Sequence, residues 1–177
     1  MGEEGFSHDS SLLYHRGVPS AITAARPWVL SGEELAPNRP LLPRHFRLHD
    51  LAGGWEQRDP VTGRQLVLGN ADVRIRYAVA GAASPYYRNA IGDECVFVES
   101  GRATGETVFG RLDARPGDYA VIPRGTTHRW LPVDGEPLRV YAIEAASHIG
   151  APRRYLSRNG QFLEHSPYCE RDLTAPS

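Results

Sequence analysis

Hydrophobic and polar residues alternate most cleanly over residues 73–79, where Val73, Ile75, Tyr77 and Val79 are separated by Arg74, Arg76 and Ala78. A period of two is the signature of a half-buried strand, and it assigns the β-branched and aromatic set to the core. Shorter runs of the same character follow at Glu94 to Glu99, Ala103 to Phe109, Tyr119 to Ile122, His128 to Val133 and Leu138 to Glu144. Turn residues bound them, as at Ile91-Gly92-Asp93, Ser100-Gly101, Arg115-Pro116-Gly117-Asp118 and Val133-Asp134-Gly135. Connections this short cannot hold crossover helices, so the sheets are expected to be antiparallel. Six or more such strands predict an all-β fold, a small sandwich or barrel.

On either side the pattern is lost. Residues 1–65 carry Pro19, Pro27, Pro37, Pro40, Pro43 and Pro60 and hold no sustained period. Apolar groups still punctuate them, as in Leu12-Leu13-Tyr14, Pro27-Trp28-Val29-Leu30 and Leu41-Leu42, so this stretch reads as an arm ordered by packing on the barrel or on a neighbouring subunit. Trp28 and Trp55 suit packing against a neighbour or within the chain's own core. The expected division is an arm over 1–65, a barrel over 66–147 and an irregular segment over 148–177, either a surface tail or the lead-in to a further domain.

Composition removes several function classes. Twenty Lys+Arg against 21 Asp+Glu leave a net charge of -1, and every cation is Arg, spread along the chain. That balance offers no global field for nucleic acid or an anionic membrane. The apolar stretches are too short to span a bilayer, and the N-terminus has neither a basic nor an apolar leader region, so a cytoplasmic home is expected. Two cysteines, Cys95 and Cys169, are too few for a disulfide framework or a four-cysteine zinc site. Phosphate-binding loops, dinucleotide fingerprints and nucleophile elbows do not occur.

The most specific segment is Gly117-Asp118-Tyr119-Ala120-Val121-Ile122-Pro123-Arg124-Gly125-Thr126-Thr127-His128. Gly, five residues, Pro, one residue, Gly, two residues, His is the second cupin motif. Its spacing is mechanical: Pro123 fixes one φ and Gly125 can take a positive one, so the chain turns sharply between strands and aims His128 into the barrel. Upstream, Glu94, six residues and Gly101 match the end of the first cupin motif, but Tyr87 and Asn89 stand where its two histidines belong. A facial iron site needs two histidines and a carboxylate. Glu94 and His128 supply two donors, and phenol and amide oxygens are poor substitutes for imidazole. A vestigial site requires Glu94 to be protonated, exposed or paired with an arginine such as Arg88, because an unpaired buried carboxylate is unstable. Tyr87, Asn89, Tyr119 and Trp130 are expected to line the mouth with His128. His45 and His49, four apart, and the tail residues His148 and His165 carry weaker ligand patterns, for which loop and surface roles serve equally well.

The runs Tyr86-Tyr87-Arg88-Asn89-Ala90-Ile91-Gly92-Asp93-Glu94, Val121-Ile122-Pro123-Arg124-Gly125-Thr126-Thr127, His148-Ile149-Gly150-Ala151-Pro152-Arg153 and Pro43-Arg44-His45-Phe46-Arg47-Leu48-His49-Asp50 resemble the N-terminal cupin region of the homogentisate 1,2-dioxygenase family, in its divergent bacterial branch. The resemblance implies a cupin jelly roll. It also implies a part in Fe(II)- and O2-dependent ring cleavage of a homogentisate-like aromatic acid in tyrosine and phenylalanine catabolism. In that family two histidines and a glutamate of a second, C-terminal cupin hold the iron, and no residue here matches that half. The resemblance therefore implies a scaffold half without its own iron, partnered by a C-terminal cupin half within a homo-oligomer. Two alternatives stand beside it. One is an autonomous metal-dependent cupin enzyme using Glu94 and His128, the other a metal-free small-molecule-binding cupin.

Overall fold

The structure is a computed structural model of the chain; it describes residues 2–4, 7–10, 14, 17–18, 21–28, 34–51, 55–133 and 135–177. Leu12, Leu13, Val29, Leu30, Asp134 and the side chain of Trp55 lie outside what is described. The chain divides into two compact units, Met1–Ser31 and Gly32–Ser177. In the first, strand β1 (Gly2–Glu4) pairs antiparallel with β2 (Ser7–Ser10), and Trp28 is 43% exposed.

The second unit holds the site. Its strands are β3 (Gln65–Gly69), β4 (Val73–Ala80), β5 (Glu94–Ser100), β6 (Ala103–Thr107), β7 (Gly110–Ala114), β8 (Tyr119–Ile122), β9 (His128–Pro132) and β10 (Leu138–Ala145). They form a five-stranded sheet in the order β3-β4-β10-β5-β8 and a three-stranded sheet in the order β7-β6-β9, antiparallel throughout. The all-β, antiparallel expectation is met. One core is drawn from both sheets: Ala78, Val96, Val98, Ala120, Ile122, Val140 and Ala142 from the larger, and Ala103, Ala114 and Trp130 from the smaller. Gly105 makes room for the indole, since a Cβ there would lie 3.3 Å from Trp130 Cζ3. Among the described residues no helix is long and apolar enough to cross a membrane.

Two sequence expectations are corrected. Ala103 to Phe109 is not one strand: β6 ends at Thr107, whose hydroxyl accepts a hydrogen bond from the Phe109 N–H at 2.9 Å and donates to the Gly110 carbonyl at 3.0 Å, closing a hairpin into β7. The alternation in β4 runs in the opposite sense. Arg76 pairs with Ala142, which pairs with Val96 and so with Ala120, placing Arg76 and Ala78 on the interior face. Tyr77, Tyr141, Phe97 and Tyr119 form a row across the outer face, yet Tyr77 is only 2% exposed. Its ring packs against Tyr141 at 5.0 Å, and its hydroxyl donates to Glu99 at 2.7 Å. A strand covered on both faces shows a period of two without revealing which phase points inward.

Candidate functional site

The second cupin motif folds as its spacing predicts. Gly125 has φ +79°, its N–H donates to the Asn89 carbonyl at 2.7 Å, and the Thr126 N–H closes the turn onto the Pro123 carbonyl at 3.2 Å. Asp93, 2% exposed, ties this turn to the chain beyond β10: its carboxylate accepts the Arg124 N–H at 2.8 Å and the Ile149 N–H at 2.7 Å. On leaving the turn the chain enters β9 and buries His128 at 1% exposure. The segment before β5 runs beside β9, with Tyr87 and His128 exchanging backbone hydrogen bonds at 2.8 and 2.9 Å.

Glu94, at the start of β5, has no solvent exposure. Its carboxylate is fully engaged: Arg64 Nη1 lies 2.9 Å from Oε2, Asn89 Nδ2 donates to Oε1 at 3.2 Å, and the Tyr87 hydroxyl donates to it as well. Burial opposes the charged form, but the Arg64 guanidinium, the Tyr87 hydroxyl and the nearby His128 outweigh it and hold the Glu94 pKa below its ordinary value. Tyr87 is pushed upward, first by burial and then by Glu94, so it stays a neutral donor. The partner of Glu94 is thus Arg64 and not Arg88, which is exposed.

Arg64 was not singled out by the sequence, and the turn that delivers it explains how it reaches the interior. Asp59, buried, accepts the backbone N–H groups of Val61 and Thr62 at 2.8 Å each, together with the Thr62 hydroxyl. This Asx-type turn plants Val61 in the core at 1% exposure and aims Arg64 inward, with its Nε donating to the Pro60 carbonyl at 2.8 Å. Arg64 Nη1 also lies 3.3 Å from Glu144 Oε1, and Arg76 Nε lies 2.8 Å from the same oxygen. The guanidinium sits 5.8 Å from the Tyr87 ring centroid. Two guanidinium groups face two carboxylates in the interior. The Asp-Pro-x-x-Gly turn signal at 59–63 was visible in the sequence, but nothing local to it shows that the following arginine points inward.

His128, Tyr87, Asn89 and Trp130 come together with Glu94. The His128 ring lies 5.5 Å from the Tyr87 ring and 6.4 Å from the Trp130 ring. Tyr119 does not join them. It lies on the outer face, 66% exposed, with its ring 4.7 Å from that of Phe97. His49 is held at Glu99, its Nε2 lying 2.9 Å from Oε1 on that outer face, while His45, His148 and His165 are exposed.

These residues do not fit an iron ion. His128 is the single imidazole of the cluster, Glu94 is already bonded by three neighbours, the Tyr87 hydroxyl and Asn89 Nδ2 are spent on that carboxylate, and Asn89 Oδ1 accepts the Ile91 and Gly92 N–H groups. Among the described residues no group of three His, Cys, Asp or Glu side chains is placed to hold a metal. What the interior does offer is a set of buried polar atoms with no hydrogen-bond partner among the described residues: His128 Nε2, Trp130 Nε1, Thr126 Oγ1 and Arg64 Nη2. Such atoms suit water or a small polar molecule better than a metal.

Residues 42–153 match the family model described as homogentisate 1,2-dioxygenase N-terminal. A curated protein of Saccharolobus solfataricus named "Putative dioxygenase SSO1533" is 32% identical over 178 residues, covering 99% of this chain and 45% of its own length. The chain thus spans about half the length of that relative. Solved structures that resemble it include BH2720 from Bacillus halodurans, with a TM-score of 0.48 and 17% identity over 67% of this chain and 89% of that one. A cupin-2 domain protein from Shewanella frigidimarina is also similar, with a TM-score of 0.45 and 16% identity over 56% and 93%.

Proposed function

The chain belongs to the homogentisate 1,2-dioxygenase N-terminal family, and from that premise we propose that it is the scaffold half of a homogentisate 1,2-dioxygenase-like enzyme, docking with a second cupin half that carries the catalytic iron. The observation that carries this reading is the state of Glu94. Its carboxylate is bonded by Arg64, Asn89 and Tyr87, so the residue the motif reserves for metal serves the barrel's own cohesion. The share of the relative's length spanned, 45%, leaves room for the complementary half. In this reading the aromatic acid is opened by O2 at the partner half. This half contributes a rigid wall and the surface on which homo-oligomers assemble. The two free thiols, Cys95 and Cys169, suit a reducing cytoplasm.

The test is oxygen uptake with homogentisate and Fe(II). The chain alone should consume none, and uptake should appear when a polypeptide equivalent to the C-terminal half of the relative is added and co-purifies with it. Turnover by the chain alone, lost in His128→Ala, would refute the reading. A second reading, a metal-free binding module, draws on the unpartnered interior atoms of His128, Trp130 and Arg64. Saturable binding of an aromatic acid to the chain alone, without oxygen uptake, would favour it.

A further inference from the structure

We infer that β8 is a docking edge for a second copy of this chain: two β8 strands pair antiparallel about a two-fold axis at Ala120, joining the five-stranded sheets of two barrels. The inference rests on the homo-oligomeric part of the reading above and supplies its surface.

The other sheet edges are covered or broken. Beside β9 runs the segment before β5, where Tyr87 and His128 exchange backbone hydrogen bonds and the Ser84 N–H donates to the Trp130 carbonyl at 2.9 Å. On β7, Arg111 exchanges backbone bonds with Ser177 at 3.0 Å each, and β3 shifts register between Leu66 and Leu68. Among the described residues β8 pairs with β5 alone. The Val98 N–H donates to the Asp118 carbonyl at 3.0 Å, and the ladder continues without a shift through Phe97↔Tyr119 and Val96↔Ala120. By the alternation of an antiparallel ladder, Asp118, Ala120 and Ile122 therefore bond to β5, while the N–H and C=O groups of Tyr119 and Val121 face the open edge.

That edge is complementary to itself. A two-fold axis at Ala120 sets Tyr119 opposite the partner's Val121 and Val121 opposite the partner's Tyr119, so every open N–H and C=O of β8 finds an acceptor or a donor. The side chains agree. Edge strands left in water are usually guarded by charge, but Tyr119 is 66% and Val121 48% exposed. Behind them, Tyr77, Tyr141 and Phe97 continue the row of Tyr119, and Ile75, Ile143 and Cys95 that of Val121, so the joined sheets carry unbroken apolar rows on one face. The outer face of the smaller sheet is instead charged, with Arg111, Glu106 and Arg129 in one row. Charge favours the same orientation: Asp118 precedes β8 and the exposed Arg124 follows it, so antiparallel pairing sets the acidic end of each strand beside the basic end of the other. A strand about 14 Å long buries less than the roughly 800 Å² per partner of a standard interface, so the dimer should be reversible and concentration-dependent.

The test uses the full chain as wild type, Tyr119→Lys, Val121→Lys and Tyr119→Glu/Val121→Lys. Self-association is read by sedimentation velocity over increasing concentration, and the edge itself by amide hydrogen exchange at Tyr119 and Val121. The wild type should dimerise, with both amides gaining roughly tenfold or more protection as the concentration rises. Each single lysine variant should keep the wild-type circular dichroism and dimerise roughly tenfold or more weakly. The double variant sets opposite charges face to face at both 119–121 pairs and should restore the dimer. If a lysine variant fails to fold, the concentration dependence of the two wild-type amides decides alone. A wild-type chain that stays monomeric, a dimer that the lysine variants leave intact, or a double variant that stays monomeric would overturn the inference. So would protection of those amides that appears only when the C-terminal half is added. Oxygen uptake with that half reports separately on the scaffold reading: uptake supported by a monomeric chain overturns the docking edge alone, and a dimer without uptake overturns the scaffold reading alone.

Discussion

The Nδ1 atom of His128 lies 3.0 Å from the carbonyl oxygen of Thr126, two residues earlier in the chain. A carbonyl only accepts, so Nδ1 carries the proton and the neutral ring turns a lone pair on Nε2 toward the interior. The motif histidine is thus oriented as a ligating histidine would be, in a cluster whose carboxylate is committed to arginine.

Burial of the neutral His128 ring and the pairing of Glu94 with Arg64 give the protein a two-step acid profile. Burial holds the His128 pKa below its ordinary 6.5, against the opposing pull of the Thr126 carbonyl and Glu94. The unfolded chain therefore takes up a proton that the folded chain refuses, so stability falls as pH drops below 6.5 toward the folded value. Glu94, held below 4.5, contributes stability that is present above 4.5 and lost as pH falls further through its folded value. Urea midpoints measured across pH should show both declines, and His128→Asn should remove the first while keeping the second. An unchanged first decline in that variant would show that His128 is not its source.

The Arg64–Glu94 pair should behave as a coupled unit. Arg64→Met leaves a buried carboxylate without its cation and should lower stability by about 3–5 kcal/mol. Adding Glu94→Gln should recover part of the loss, giving a non-additivity of roughly 1 kcal/mol or more in a urea double-mutant cycle. Simple additivity would mean that the two side chains do not depend on each other.

Two glycines separate backbone strain from packing. At Gly125 an added Cβ meets nothing within 4 Å, but the residue holds φ +79°, so Gly125→Ala should cost about 1–2 kcal/mol and leave the near-ultraviolet dichroism of the tryptophans unchanged. Gly105→Ala places its Cβ 3.3 Å from the Trp130 ring and should alter that dichroism as it destabilises. Identical spectra for the two variants would contradict the packing assigned to Trp130.

Asp93 should couple two distant stretches. Asp93→Ala strips the Arg124 and Ile149 N–H groups of their acceptor and should lower stability by about 1–3 kcal/mol. Hydrogen exchange should quicken at both positions together, and protection retained at either one would argue against the link.

Turn chemistry and strand periodicity made most of the fold legible. Short connections required antiparallel pairing, and the Pro123–Gly125 spacing located the turn that presents His128. The phase of β4 was not legible. Arg76 looks like a solvent residue until Glu144, far away in the chain, supplies its partner. Arg64 was hidden for the same reason, because a buried arginine is defined by carboxylates 30 and 80 residues away. Tyr119 shows the limit from the other side: two residues of one short strand differ in facing by parity alone, so membership of a motif does not place a side chain at its site.

Arg64 and Val61 enter the barrel from a turn that precedes the first strand of its sheets. A shortened protein beginning at Gln65 would retain every strand of both sheets and still enclose two acidic groups against a single counterion. The minimal autonomous version of this domain is therefore set by where its charges balance, several residues upstream of where its hydrogen-bonded ladders begin.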